Sequence, residues 1–285
     1  MPERSIGEPR WLRAALSGLA VLSIAAVLGL PLLVVFTQAL AAGLPAAWAA
    51  VSGPDARAAV WLTLLVAAIV VPANTLFGLG AAWCLTRHRV PGRRVLVALI
   101  GLPLSVSPVV SGLVYVLLFG LQGWFGPWLS RAGIVIVFAL PGIVLATVFV
   151  TLPFVAGQLI PLMDAQGVEE EEAALTLGAR GAQMFWFVTL PRIRWGLLSG
   201  VLLCNARAMG EFGAVAVVSG RIRGLTETVP LHIEGLYNDY DIPAAFAVAA
   251  LLAGMGLLTI GLKAWLDSRH RRALAQGARA TLAAA

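Results

Sequence analysis

A chain of 285 residues in which 60% are hydrophobic and only 12% charged is excluded from the ordinary soluble class, where charged residues make up about 25%. With a mean hydropathy of +0.90 and a mass of 29.8 kDa, it has room for six or so membrane spans and short loops, but little for a separate soluble catalytic domain. The net charge of +6 does not argue for nucleic-acid binding, because the basic residues sit beside apolar runs, where membrane topology accounts for them.

The first segment, residues 1–13, is basic and precedes an apolar run over 14–41. A signal peptide begins this way, but its apolar core is only about 7 to 15 residues, so the run reads as an uncleaved first span. The second run, 58–86, meets the basic cluster RHRVPGRR at 87–94. The third, 95–121, carries Pro103 and Pro108, which are tolerated in a membrane where neighbouring helices satisfy the freed carbonyls. Beyond it Trp124 and Trp128 suit a bilayer interface. A fourth run covers 133–163, a fifth 195–219 and a sixth 243–266. Each reaches the roughly 20 helical residues that a bilayer core of about 30 Å needs. The expected organisation is therefore a cytoplasmic segment 1–13, a transmembrane domain 14–266 and a cytoplasmic tail 267–285, basic then alanine-rich and poorly ordered.

Of the twenty Lys and Arg, Arg57, Arg131, Arg221 and Arg223 fall on one side of these spans and Arg207 within one. All the others fall on the opposite side, which makes that side, with both termini, cytoplasmic. Cys84 and Cys204 lie far apart in apolar runs and read as small buried hydrophobes. His88 and His270 sit in basic clusters, and His232 stands alone in a polar loop. None of these has metal-ligand spacing. No glycine-rich phosphate loop and no hydrolase signature occurs, so any ATP that drives this protein is bound by another polypeptide.

The longest polar interruption runs from Asp164 to Arg194. Asp164 is placed to cap a helix, Glu169 to Glu172 suit the positive end of its dipole, and Gly178 suits a left-handed C-cap. A second short helix is expected to end before Pro191. Glu172, Ala173, Ala174, Gly178, Val188, Leu190 and Pro191 reproduce the spacing E-A-A-x3-G-x9-I-x-L-P, with valine in place of isoleucine. An amphipathic helix on the inner face can dock in a partner's groove. Ala173, Ala174, Leu175, Leu177, Phe185, Trp186 and Phe187 supply the apolar part, and the glutamates with Arg180 supply the frame. Four glutamates alone would suit a solvated loop; the full spacing favours docking.

A second constellation, 204–220, places Arg207 near the middle of the fifth span, where a bare arginine costs about 2.5 to 3.5 kcal/mol. Glu211 lies four residues on and can pair with it on one helix face. Asn205 lies off that face and is placed to bond between helices. The pair is either a structural tie or positive potential along an anion path. Gly196 and Gly200 mark close helix packing. Ser105, Ser107 and Ser111 more often bond their own helix than a substrate. The segment 220–242 is either a solvated loop or a surface that receives an outside protein.

The stretches 103–120, 164–194 and 205–234 resemble the membrane subunits of type I ATP-binding-cassette (ABC) importers, and more closely the CysW-type subunits of the sulfate/thiosulfate branch. The element Gly210 to Ala214 is also similar to molybdate/tungstate permeases. The resemblance implies an all-α membrane protein with about six transmembrane helices in the type I ABC importer permease fold, sited in the bacterial inner membrane. It implies two cytoplasmic ABC ATPase subunits that bind ATP and magnesium, a second related permease subunit, an extracytoplasmic sulfate-binding protein and the lipid bilayer as partners, with no nucleic acid. In that scheme Glu172, Ala173, Ala174, Gly178, Leu190 and Pro191 couple to the ATPase, and Arg207, Glu211 and Asn205 lie on the substrate path. A passive anion channel would leave the EAA spacing unexplained. An intramembrane enzyme would have only Arg207 and Glu211 to work with.

Overall fold

The computed structural model describes residues 10–284, so the predicted N-terminal segment lies outside the described residues up to position 9. All regular structure among them is helical. Five stretches are long and apolar enough to cross a membrane: Trp11–Ala39, Pro54–Arg87, Leu140–Gln166, Gly181–Met209 and Ile242–Trp265. Three of these lie in helices α1 (Arg10–Ala39), α3 (Pro54–Arg87) and α7 (Leu140–Gln166), and a short α2 (Leu44–Ser52) joins the first two.

The third predicted span is not one straight helix. It divides into α4 (Arg93–Ser105) and α5 (Pro108–Phe119), bent by 103°. Part of the cause is local: Pro108 opens α5, and Ser107 directly before it is extended at φ/ψ of −58/131, as is Val106 at −91/134. A residue preceding proline is pushed out of the helical region in this way. Counting the bent pair as one span gives six. After α6 (Gly126–Arg131), the fourth span starts at Leu140 rather than near 133. The approach is held in irregular backbone, where Phe138 N–H donates to Val218 O at 2.8 Å.

The fifth predicted span also shifts. Helix starts already at Gly181, as α9 (Gly181–Met184), passes through a π-helical turn (Phe185–Thr189) into α10 (Leu190–Met209), and stops at Gly210. A short α11 (Gly213–Val218) follows the break, so Arg207 lies in the last turn of α10 and not mid-span. Helix does not end before Pro191. That residue sits in the first turn of α10, directly after the π turn in which Leu190 N–H reaches back five residues to Phe185 O. The register change meets the proline where an ordinary helix would face a missing N–H and a ring clash.

The core lies between α3, α7 and α10, with Ala82, Val155, Leu159, Met163, Ile193 and Cys204 buried together. The small residues expected to mark close packing do so. A Cβ on Gly200 would lie 3.1 Å from Val155 Cα, and one on Gly196 2.3 Å from Leu162 Cδ2. Thr147, Thr151 and Ser111 donate to carbonyls one turn back on their own helices. Cys204 is buried but Cys84 is exposed, because it faces away from the Ala82 and Leu85 side of α3. The segment 220–242 holds a helix, α12 (Val229–Asn238). The last helix, α13 (Ile242–Ala284), continues through the tail expected to be poorly ordered, in keeping with the helix propensity of its alanine and arginine. Apolar side chains along α1, such as Leu22 and Val27, are exposed, as suits contact with lipid.

Candidate coupling and transport sites

The polar interruption folds as a compact turn at one end of the α3–α7–α10 bundle. Asp164 does not cap the following helix. It is still inside α7, where its carboxylate pairs with Arg93 at 2.5 Å, because α7 continues to Gln166 and the chain turns at Gly167 (φ +68). Helix α8 (Glu169–Thr176) follows with four glutamates in its first turn. It closes as expected at Gly178, whose φ is +89. Ala179 N–H donates to Ala174 O and Gly178 N–H to Leu175 O, both at 3.0 Å, the paired bonds of a Schellman cap. Glu172, Ala173, Leu175, Leu177 and Gly178 are exposed on this turn, Leu177 at 88%.

One of the four glutamates behaves differently. Glu171 is buried, with both carboxylate oxygens facing Arg87 at the end of α3. Arg87 Nε lies 2.5 Å from Oε2 and Arg87 Nη2 donates to Oε1 at 3.1 Å. Thr189 Oγ1 donates to Oε1 at 2.7 Å, and Arg87 Nη1 donates to Met163 O at 3.2 Å. Nearby, Gln166 and Arg192 each donate to the other's backbone carbonyl, at 3.2 and 3.1 Å, and Arg192 pairs with Glu170 at 3.1 Å. Sequence reasoning missed Glu171. Within a run of identical glutamates, only the 100° step per helical residue, set against an arginine closing the second span, could have singled it out. Of the aromatic trio, Phe185 packs edge-on against Trp83 with centroids 5.3 Å apart. Trp186 and Phe187 are exposed.

The second constellation forms the expected pair. Arg207 Nη1 lies 2.7 Å from Glu211 Oε2, with the arginine side chain 34% exposed and the glutamate 1%. The pair spans a helix break and not a helix face. Glu211 also accepts the Ala214 N–H at 3.1 Å, at the start of α11. One carboxylate thus ties the end of α10 to α11, while the arginine remains reachable. A small cavity, with about 10 Å³ of space for the centre of a water-sized sphere, lies beside Glu211 between Thr63, Thr147 and Thr228. That is room for about one water. Asn205 does not bond between helices; its amide donates to Met209 Sδ at 3.4 Å on its own helix.

In the segment 220–242, His232 is not alone. Its Nδ1 lies 3.2 Å from Glu227 Oε2, and both side chains are buried. Arg221 pairs with Glu234 at 2.9 Å and Arg223 with Asp239. The hydrogen bond to Asp239 holds the Arg223 guanidinium above its ordinary range. Thr63 on α3 accepts the Val229 N–H at 2.9 Å. The segment 220–242 is therefore a fastened layer containing α12 and not a plain solvated loop.

Residues 74–272 match the family of binding-protein-dependent transport system inner membrane components. The chain belongs to this family. The sulfate transport system permease protein CysW of Synechocystis is 50% identical to this permease over 261 residues, which cover 91% of the chain and 95% of the relative. CysW of Escherichia coli K12 is 49% identical over 259 residues, covering 91% and 89%. The CysT protein of the same organism is 37% identical, covering 90% and 92%. Among solved structures, a chain of a bacterial alginate ABC transporter, crystallised with its alginate-bound periplasmic protein, superposes with a TM-score of 0.74. It is 16% identical and covers 91% of this chain and 94% of that one. At that identity the likeness establishes the importer permease fold alone. The family is one of multi-pass inner-membrane permease subunits, and the six-span reading, with one span broken, accords with it.

Proposed function

We propose that this chain is the permease subunit of an ATP-driven importer of sulfate, with thiosulfate as a second substrate, which conducts the anion and performs no catalysis itself. The observation that carries the reading is the identity of about one half, across nine-tenths of the chain, to CysW sulfate permeases of two distant bacteria. Molybdate, the alternative raised by residues 210–214, has no comparable support.

In this reading both termini and α8 face the cytoplasm. Two ATPase subunits bind ATP and magnesium there, a second related permease completes the membrane part, and a sulfate-binding protein delivers substrate outside. The exposed Glu172, Ala173, Leu175, Leu177 and Gly178 dock α8 into the ATPase, and Ala174, Leu190 and Pro191 belong to the same coupling region, with Leu190 packed on the buried core. Closure of the ATPase pair on ATP then moves α8 and tilts the spans, which exposes the path alternately to the two sides. On the path, Arg207 offers a fixed cation with a planar fork of donors suited to a tetrahedral dianion. Glu211 holds its rotamer, and Asn205 lies two residues before Arg207 on α10.

Uptake of radiolabelled sulfate by cells lacking this chain and then supplied with it tests the proposal, with unlabelled thiosulfate and molybdate as competitors in separate runs. Restored uptake that thiosulfate blocks and molybdate does not is the expected outcome. Restoration of molybdate uptake without sulfate uptake would keep the importer and overturn the substrate.

A further inference from the structure

The cytoplasmic turn poses a mechanical problem. Helix α8 has eight residues, most of them exposed, and it joins α7 and α9 through turns at Gly167 and Gly178, both at positive φ. A push delivered to such an element dissipates in its linkers unless a side chain fastens it to the spans. Glu169 and Glu172 point outward. Glu170, also largely exposed, reaches Arg192, where a surface ion pair is worth little. Glu171 is the exception, with a side chain only 5% exposed against an arginine at 7%.

Resting on the permease reading above, we infer that Arg87, Glu171 and Thr189 are positioning residues that form a clamp. The clamp transmits motion of the coupling helix to spans α3 and α10. Four elements meet at it: α3 through the Arg87 guanidinium, α7 through Met163 O, α8 through Glu171, and the π turn that opens α10 through the Thr189 hydroxyl. Both oxygens of the carboxylate are engaged, so α8 cannot rotate about its own axis without breaking a buried charge pair. The π turn is part of the device. One extra residue per turn advances the following side chains by about 100°, which brings Thr189 round to Glu171 while Pro191 still starts α10. The same α10 carries Arg207 at its far end, so the clamp and the ion pair sit at opposite ends of one rigid rod. Breaking one partner of a buried pair leaves the other charge uncompensated, and the clamp therefore tolerates exchange of its charges better than loss of one.

The test uses the assembled complex, with its ATPases and binding protein, in liposomes. ATP hydrolysis and sulfate uptake are measured in the same preparation. In Glu171→Gln and in Thr189→Val, hydrolysis continues while uptake per ATP falls about tenfold, the scale of a typical coupling free energy. The double exchange Arg87→Glu with Glu171→Arg recovers a substantial part of it. Thr189→Val keeps side-chain volume and removes one hydrogen bond, so it decides the matter if Glu171→Gln fails to assemble. Unchanged uptake per ATP in Thr189→Val, or uptake that only follows the amount of assembled complex, overturns the clamp. A wild-type complex that hydrolyses ATP in response to a different loaded binding protein overturns the sulfate reading and leaves the clamp standing. A wild-type chain that recruits no ATPase overturns both.

Discussion

Gly178 offers a test that separates backbone geometry from contact with a partner. Its φ of +89 is closed to most side chains, yet a Cβ built there meets no heavy atom within 4 Å. Substitution by alanine therefore adds no clash within this chain and acts only through the left-handed strain, about 1 to 2 kcal/mol. The affected unit is small: the two bonds that close α8, from Ala179 to Ala174 and from Gly178 to Leu175. A strain of that size shifts the ratio of capped to frayed α8 by roughly 5- to 30-fold at room temperature. Asparagine adopts the left-handed region far more readily, so Gly178→Asn keeps the cap and adds only a side chain projecting outward. Copurification with the ATPase and sulfate uptake are measured for both variants. Gly178→Ala is expected to lose most of its ATPase binding. If Gly178 acts only as a cap, asparagine retains binding; if the ATPase surface closes over this position, asparagine loses it as well. Normal binding and uptake by Gly178→Ala would refute the argument, because the left-handed strain at φ +89 would then not reach the ATPase contact. Gly178→Asp, which adds a charge beside the four glutamates, should be no better tolerated than alanine.

Two further variants probe the membrane half. Arg207→Lys keeps the positive charge but loses the planar fork, and should abolish uptake while the complex still assembles. Unaltered uptake would remove Arg207 from the path and leave it a structural tie to Glu211. Gly78→Leu drives a side chain into α7 at a point where even a Cβ would lie 2.7 Å from Val155 and 2.9 Å from Ala156 N. Overpacking of this kind costs about 1 to 3 kcal/mol, read as a lowered melting temperature of the purified complex. An unchanged melting temperature would show that α3 and α7 can separate more freely than their close approach implies.

What was legible in the sequence is what a local pattern can encode. The apolar runs that became α1, α3, α7 and α13 declared themselves by length, since a bilayer demands a fixed stretch of helix. The cap at Gly178 was readable because a left-handed residue after an apolar turn has few solutions other than glycine. The pairing of Arg207 with Glu211 was readable from a spacing of four, but for an incomplete reason. The two residues are separated by a helix break at Gly210, and the contact survives because the carboxylate turns back to the arginine while accepting the Ala214 N–H. Asp164 was assigned to the wrong helix for a related reason. It carries a capping side chain, but α7 runs past it and Arg93, 71 residues away, takes up the carboxylate.

The breaks and the buried glutamate were not legible because each depends on a partner distant in sequence. Pro108 is compatible with a kinked continuous span or with a sharp bend. The 103° bend occurs together with packing of α5 on α11, where a Cβ on Gly112 would lie 2.7 Å from Ala214 O. Likewise nothing in EEEE distinguishes Glu171 from its neighbours until Arg87, 84 residues earlier, is brought to the same end of the bundle by the close fit of α3 on α7. The order of cause runs from small residues to charges. Gly78 lets α3 approach α7, and that approach carries Arg87 beside Met163 O and fixes a cation at the mouth of the bundle. Of the four glutamates, only the one whose helical phase points at that cation becomes buried. A substitution at Gly78 should therefore weaken coupling as well as stability, and the loss of uptake per ATP in Gly78→Leu should resemble that of Thr189→Val, although the two positions lie on different helices.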